Sequence, residues 1–537
     1  MFWETITSLL LLLPFATKAV HTAKTKPNFL IIITDQQRWD AIQASGANSI
    51  IRTPNIDRLF HEGAYFREAV SPCPVSGPAR TSMLTGRFIE STGIKTNMDS
   101  EGLLDCPYKS YDQILSENGY IAEYYGKFHS PKNLAFGYSN PSLYGYQGAE
   151  LIRNWETLYH FYLAEHLDWR PQREGEFYDF SFYNGLQYIP SPIDRRYDKL
   201  PSGIMTPAEL KMRKLTQPDH HGKLDLSPEH TITAVQGRQT IDAINRLKNQ
   251  QFIITCSFHC PHSPILPSEP YSSLYNPKRM PVPASINDQM ENSPYKSSNG
   301  RLLLKEYADS SKIGYMIAEY YASVSEVDEW VGKILDTLDQ LHLSQNTVIF
   351  FVSDHGEMLG AHGMREKNIF LEESVRVPFA IRYPNGIKTP RIIDTPISAI
   401  NIFSTIMDYA GIQIPNDGFS LKSIAEGGRT PYNFTISEWN WENQLVPNLM
   451  IRTSNWKLLL TLNPDSKSMD ALYDIKNDPF EINNLLASEK EIEKHISIAL
   501  NLKNEALGYL KKVNYKRVLD IENKTIGLQF PKNQKKQ

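Results

Sequence analysis

A chain of 537 residues is long enough to bury more than one core, so length alone points to two or three domains. With 41% hydrophobic and 22% charged residues it has the composition of a soluble globular enzyme. Its net charge of −4, from 56 basic against 60 acidic side chains, removes any global electrostatic case for nucleic acid or an anionic membrane surface.

The N-terminus, residues 1–22, reads as a signal peptide. An apolar run from Ile6 to Ala16, with five consecutive leucines, is shorter than the ~20 residues of a membrane span. Thr17-Lys18-Ala19 offers a cleavage context, although Glu4 stands where a basic residue is usual. The expected location is therefore periplasmic or secreted. Next, Asn28 to Thr34 is a continuous β-branched run, the pattern of a strand buried on both faces, and it stops at Asp35-Gln36-Gln37-Arg38. Phe252 to Phe258 repeats the pattern and stops at His259-Cys260-Pro261-His262, and Thr347 to Ser353 does so before Asp354-His355-Gly356. Three strands thus deliver polar residues at their carboxyl ends, the edge where open α/β sheets bind ligands. Apolar residues at helical spacing over Thr231 to Leu247 and Ile313 to Leu341 supply the layers that cover such a sheet.

Residues 23–425 therefore read as an α/β catalytic domain with a mostly parallel central sheet flanked by helices. Within it, residues 151–226 are rich in aromatics and arginine, among them Trp155, Trp169, Arg170 and Arg173. They suit either a substrate-binding insertion or a local cap. Residues 426–537 read as a smaller α+β subdomain, with strands at Trp456 to Leu462 and Leu472 to Ile475, a turn at Asn477-Asp478-Pro479 and a helix from Glu489 to Leu510. The basic end, Lys532 to Gln537, reads as a solvated tail. The four cysteines, Cys73, Cys106, Cys256 and Cys260, are too few for a disulfide scaffold and hold no C-x-x-C pair, leaving one or two disulfides or buried thiols.

The chemistry concentrates at Ser76-Gly77-Pro78-Ala79-Arg80, continued by Thr81 to Arg87. Pro is favoured at the first helical position, so Pro78 predicts a helix with Ser76 or Gly77 as its N-cap. Such a terminus offers free N–H groups and partial positive charge to a sulfate or phosphate, with Arg80 beside it. Asp35 and Asp354, at two strand ends, are candidate ligands for a divalent cation.

Ser76-x-Pro78-x-Arg80 followed by Leu84-Thr85-Gly86-Arg87 resembles the signature of the type I sulfatases of the alkaline-phosphatase superfamily. The resemblance continues through Gly119-Tyr120 to Gly126-Lys127-Phe128-His129, and through the Trp456-Lys457-Leu458 and Leu472-Tyr473-Asp474 segments, whose family counterpart is a small antiparallel sheet with a helix. It implies that Ser76 is oxidised to formylglycine by a serine-type maturing enzyme. Cys73, three residues upstream, lacks the Pro and Arg of the pattern. It also implies a calcium ion held by Asp35, Gln36, Asp354 and His355. Gln36 stands where many members carry Asp, and His355 is a softer ligand than calcium usually takes.

The catalytic set implied is Ser76, Arg80, Lys127, His129, His262 and Lys367. Lys127 and Lys367 would bind sulfate oxygens, the spacing to Arg376-Val377-Pro378 favouring Lys367 over Arg365. His262 would protonate the departing alcohol, a role suited to a histidine titrating near neutrality. His129 would deprotonate the sulfated hemiacetal. The implied function is hydrolysis of sulfate esters on a sulfated oligo- or polysaccharide. The closest rival is a phosphonate monoester or phosphodiester hydrolase of the same superfamily, some of which carry formylglycine and an Asp-Gln metal pair resembling Asp35-Gln36. A two-zinc phosphatase using unmodified Ser76 lacks a clear second ligand set. A non-catalytic carbohydrate-binding protein is opposed by the full presence of the catalytic residues.

Overall fold

The structure, a computed structural model, describes residues 26–100, 104–135, 188–190, 222–224, 227–263, 265–296, 313–439, 447–462 and 469–527. The signal peptide expected over 1–22, most of the 151–226 insertion and the basic tail lie outside them.

The strands, in chain order, are β1 (Asn28–Thr34), β2 (Ala64–Phe66), β3 (Ala69–Val70), β4 (Ile121–Gly126), β5 (Tyr188–Pro190), β6 (Gly222–Leu224), β7 (Phe252–Ser257) and β8 (Thr347–Ser353). They continue with β9 (Phe379–Arg382), β10 (Arg391–Ile393), β11 (Ile397–Ser398), β12 (Thr435–Glu438), β13 (Leu449–Arg452), β14 (Trp456–Leu460) and β15 (Ala471–Asp474). Seven of them form the central sheet in the order β10-β2-β9-β8-β1-β7-β4. β8, β1, β7 and β4 run parallel, and β9 is antiparallel to both β8 and β2.

Every residue of β1, β7 and β8 is buried, which is why these strands show as unbroken apolar runs in the sequence. β4 does not, because Glu123 interrupts it. That carboxylate is buried and takes both Nη1 and Nη2 of Arg246, at 2.9 and 2.7 Å, from the helix Ile232–Leu247. Four parallel strands, rather than the three legible in the sequence, therefore open at one edge. The alternation within β1 divides the core: Leu30 and Ile32 pack with Trp330, Val331 and Ile334 of the helix Ile313–Gln340. Phe29, Ile31 and Ile33 pack with Met83, Phe403 and Ile406 on the opposite face. All four cysteines are buried free thiols. No helix of the described residues is long and apolar enough to cross a membrane.

The C-terminal sheet, β12-β13-β14-β15, is antiparallel, and the helix Glu489–Lys512 covers it. It grips the loop that carries Lys367 through buried charge. Lys457 Nζ lies 2.8 Å from Glu372, 2.7 Å from Glu481 and 2.9 Å from the Phe370 carbonyl. Arg452 pairs with Glu372 at 2.8 Å. Removing one member of such a network strands a buried charge, so Lys457→Met should destabilise the protein by about 3 kcal/mol, read as a fall in denaturation midpoint.

Two further buried carboxyls make stability depend on pH. Burial pushes Glu326, which accepts the Thr231 hydroxyl, up to about 7, and Glu438, beside the Tyr515 hydroxyl, up to about 8. Both folded values lie above those of the unfolded chain, so the native state holds protons the unfolded state has released. This stabilisation is complete below the ordinary carboxyl value and is lost as pH rises through 7 and 8. The melting temperature should therefore fall between about pH 5.5 and about pH 8.5, and Glu326→Gln should flatten part of that slope.

Candidate active site

Ser76 opens the helix Ser76–Thr85, with Val75 at the N-cap, so the helix starts two residues before Pro78 instead of at it. The first N–H groups of a helix have no intrahelical partner, which lets Pro occupy the first turn beyond its first position. The Ser76 hydroxyl is buried at this terminus, 2.7 Å from His355 Nε2. His355 Nδ1 lies 3.0 Å from the Gly356 carbonyl, which only accepts, so Nδ1 carries the hydrogen and Nε2 presents a lone pair to the serine. Burial holds this imidazole down at about 4, keeping it neutral at pH 7.

Asp35, Asp354 and His355 place one ligand atom each within 4.8 Å of one another, and all three residues are buried. Asp354 Oδ1 accepts the N–H groups of Gln36 and His355 at 3.0 and 2.9 Å. Its Oδ2 accepts Arg80 Nε at 2.7 Å. Gln36 sits in the left-handed region at φ 65°, and the Tyr320 hydroxyl braces that turn by donating to the Gln36 carbonyl at 2.6 Å and accepting Arg38 N–H at 2.9 Å. The Gln36 amide nitrogen donates to Glu357, which leaves its oxygen facing Lys367.

Asp35 Oδ1 is buried with no hydrogen-bond partner among the described residues. An orphaned carboxylate oxygen converging with a second carboxylate and a neutral imidazole fits a divalent cation of the calcium kind, which takes oxygen ligands at about 2.3–2.6 Å. The imidazole is the one soft member of the set.

Two ammonium groups flank these donors. Lys127 contacts Asp35, while Lys367 contacts Gln36 Oε1 and lies 3.0 Å from His262 Nε2. Burial raises the Asp35 carboxyl, but Lys127, Arg80 and Lys367 outweigh it and hold it well below the usual carboxylate range. Arg80 spans the base of the site: Nη1 donates at 2.8 Å to both the Lys127 carbonyl and Ser257 Oγ. His262 Nδ1 lies 2.6 Å from the Ser263 carbonyl and so carries the hydrogen, which leaves Nε2 to accept from Lys367. Its titration differs from the sequence expectation. Burial, with Lys367 and Lys127 alongside, pushes it well below the ordinary imidazole value instead of leaving it near neutrality.

His259 lies beside His262, with ring centroids 5.1 Å apart and the ring planes tilted by 54°. His129 is buried two residues beyond Lys127, in the left-handed region at φ 49°. Arg365 reaches Ser263 Oγ at 3.1 Å, so Lys367 rather than Arg365 meets Gln36 and His262. Sequence reasoning missed Glu357, Tyr320 and Ser257, which orient Gln36 and Arg80. Their contacts span more than a hundred residues and leave no local pattern.

A family model described as Sulfatase matches residues 27–412, and one described as N-sulphoglucosamine sulphohydrolase, C-terminal, matches residues 360–507. An arylsulfatase of Clostridium perfringens is 27% identical over 488 residues, covering 87% of this chain and 92% of the relative. An N-acetylglucosamine-6-O-sulfatase of Bacteroides thetaiotaomicron is 24% identical over 536 residues, covering 87% and 84%. The phosphonate monoester hydrolase of Agrobacterium radiobacter shares the fold, with a TM-score of 0.70 at 22% identity over 91% of this chain and 96% of that one.

Proposed function

Because the chain belongs to the sulfatase family and is a sulfuric ester hydrolase, we propose that it desulfates a sulfated oligo- or polysaccharide using formylglycine formed from Ser76 and a calcium ion. The observation that carries this reading is the convergence of the Ser76 hydroxyl with Asp35, Asp354 and His355 between the ammonium groups of Lys127 and Lys367. The sugar-directed name of the Bacteroides relative supports the substrate class.

Asp35, Gln36, Asp354 and His355 would hold the calcium ion, which supplies Lewis acidity, while the aldehyde supplies a hydrated nucleophile able to expel sulfate again. The chain's other residues do the remaining work. Lys127 and Lys367 balance charge on the transferring sulfate, and Arg80 fixes Asp354 and the Lys127 backbone from below. His262 passes a proton from its Nε2 side to the leaving oxygen, and His129 takes the proton that allows sulfate release. A serine-type maturing enzyme is the partner this chemistry requires, and a periplasmic or secreted location goes with the N-terminal segment.

The test is paired: aryl sulfate against aryl phosphonate, then a panel of defined sulfated oligosaccharides. Preference for the phosphonate would favour the related hydrolase reading. Chelation should abolish turnover and calcium restore it. Calorimetric calcium binding should weaken by at least about tenfold in Asp35→Asn, independently of activity.

A further inference from the structure

Gln36 follows Asp35 at the end of β1 yet carries no charge of its own. The carboxylate that touches its side chain belongs to Glu357, two residues beyond His355 and fully buried. Glu357 Oε2 accepts from Gln36 Nε2, and its Oε1 accepts the backbone N–H groups of Leu359 and Glu366 at 3.1 and 2.6 Å. Its own N–H donates to the Glu373 carbonyl at 2.9 Å. Both carboxylate oxygens are therefore held in place by donors on a pinned backbone.

These contacts decide which way the Gln36 amide points. An amide offers an acceptor on one side and donors on the other, and a half-turn exchanges the two. The Glu357 carboxylate only accepts, and the Lys367 ammonium beyond the amide only donates. Glu366 Oε2, 3.4 Å from Gln36 Nε2, favours the same orientation. Glu357 also reaches Lys367 by a second route. Glu366, the residue before Lys367, sits in the left-handed region at φ 67°, and its N–H ends on Glu357 Oε1.

Within the proposed calcium and sulfate site, on which this rests, we propose that Glu357 is a positioning residue. It carries, one hydrogen bond away, the negative charge that Gln36 lacks, and it holds the Gln36 oxygen toward Lys367. Gln36 and Glu357 then act as one unit, and the charge is exchangeable between them. In Glu357→Gln, the Leu359 and Glu366 N–H groups keep the new amide oxygen where Oε1 stood, so its NH2 group faces Gln36. Gln36 must turn over and aim its own N–H groups at Lys367. Adding Gln36→Glu returns the single charge to the pair. The new amide then donates to the new carboxylate, whose other oxygen faces Lys367.

Calorimetric titration of the full chain with calcium, and separately with inorganic sulfate, tests this. Glu357→Gln should weaken both ligands by about ten- to a hundredfold. The double variant Gln36→Glu/Glu357→Gln should regain about tenfold for each. A charge effect alone would strengthen calcium and weaken sulfate, so only a restored oxygen at Lys367 recovers both. A role in folding alone would leave the losses in place. Unchanged affinities in folded Glu357→Gln, or no recovery of sulfate binding in the double variant, would overturn the proposal. If Glu357→Gln does not fold, recovery of folding and of sulfate binding in the double variant decides. A wild-type chain that binds sulfate but not calcium would sink the calcium reading and leave Glu357 to the sulfate titrations; one that binds neither overturns both.

Discussion

Replacing Ser76 with Ala should lower aryl sulfate turnover by roughly five orders of magnitude while leaving the fold intact. The two readouts separate because of where the residue sits. Ser76 is the first residue of its helix, no side chain caps that helix, and alanine is the best helix former. The substitution removes one hydrogen bond, to His355, at a stability cost of about 1 kcal/mol. What it removes chemically is the hydroxyl whose carbon would be oxidised to the aldehyde, leaving a methyl group that the same oxidation cannot convert. The companion measurement is the mass of the peptide spanning residue 76, from wild-type protein made alongside a serine-type maturing enzyme. Loss of two hydrogens from that peptide should track activity from preparation to preparation. Full activity in protein whose serine is unmodified would mean that the hydroxyl itself attacks, and the formylglycine proposal would fall.

How legible this site was in the sequence follows from how each residue is held. Asp35 and Asp354 stand directly beyond fully buried parallel strands, and His259 one residue further past its own, strands whose unbroken apolar runs mark their own ends. Lys127 stands beyond β4 in the same way, yet its strand was hidden by Glu123, a charge made tolerable only by Arg246 on a distant helix. The start of the Ser76 helix was displaced by two residues because Pro78 is compatible with more than one place in a first turn. Gln36 was visible as a departure from the family's Asp, but not what compensates for it. Glu357 and Tyr320 orient its amide and brace its backbone from more than 280 residues away. Charge environment was the least legible property of all, since the neutral state of His262 comes from its burial and then from Lys367, more than 100 residues along the chain.

That environment sets the second large effect. His262→Ala should lower kcat on a sugar sulfate by about 10²- to 10⁴-fold, but by less than about tenfold on the sulfate of an acidic phenol. A sugar alkoxide is a poor leaving group and needs a proton as the sulfur–oxygen bond breaks, whereas an acidic phenolate departs without one. The pH dependence follows from the same geometry. In the free protein, burial and the two lysines hold His262 well below its ordinary value, so the protonated ring is a minor species at neutral pH. If protonation must precede attack, kcat/KM on the sugar ester falls as pH rises through neutrality. A bound sulfate anion between Lys127 and Lys367 offsets the charges that depress the ring, so the corresponding limb of kcat should lie at higher pH. Profiles of the two parameters on one sugar sulfate check the displacement. An equal loss in His262→Ala for the sugar and phenol esters would instead make the ring a positioning residue, one that holds Lys367 through Nε2 and donates no proton to the leaving group.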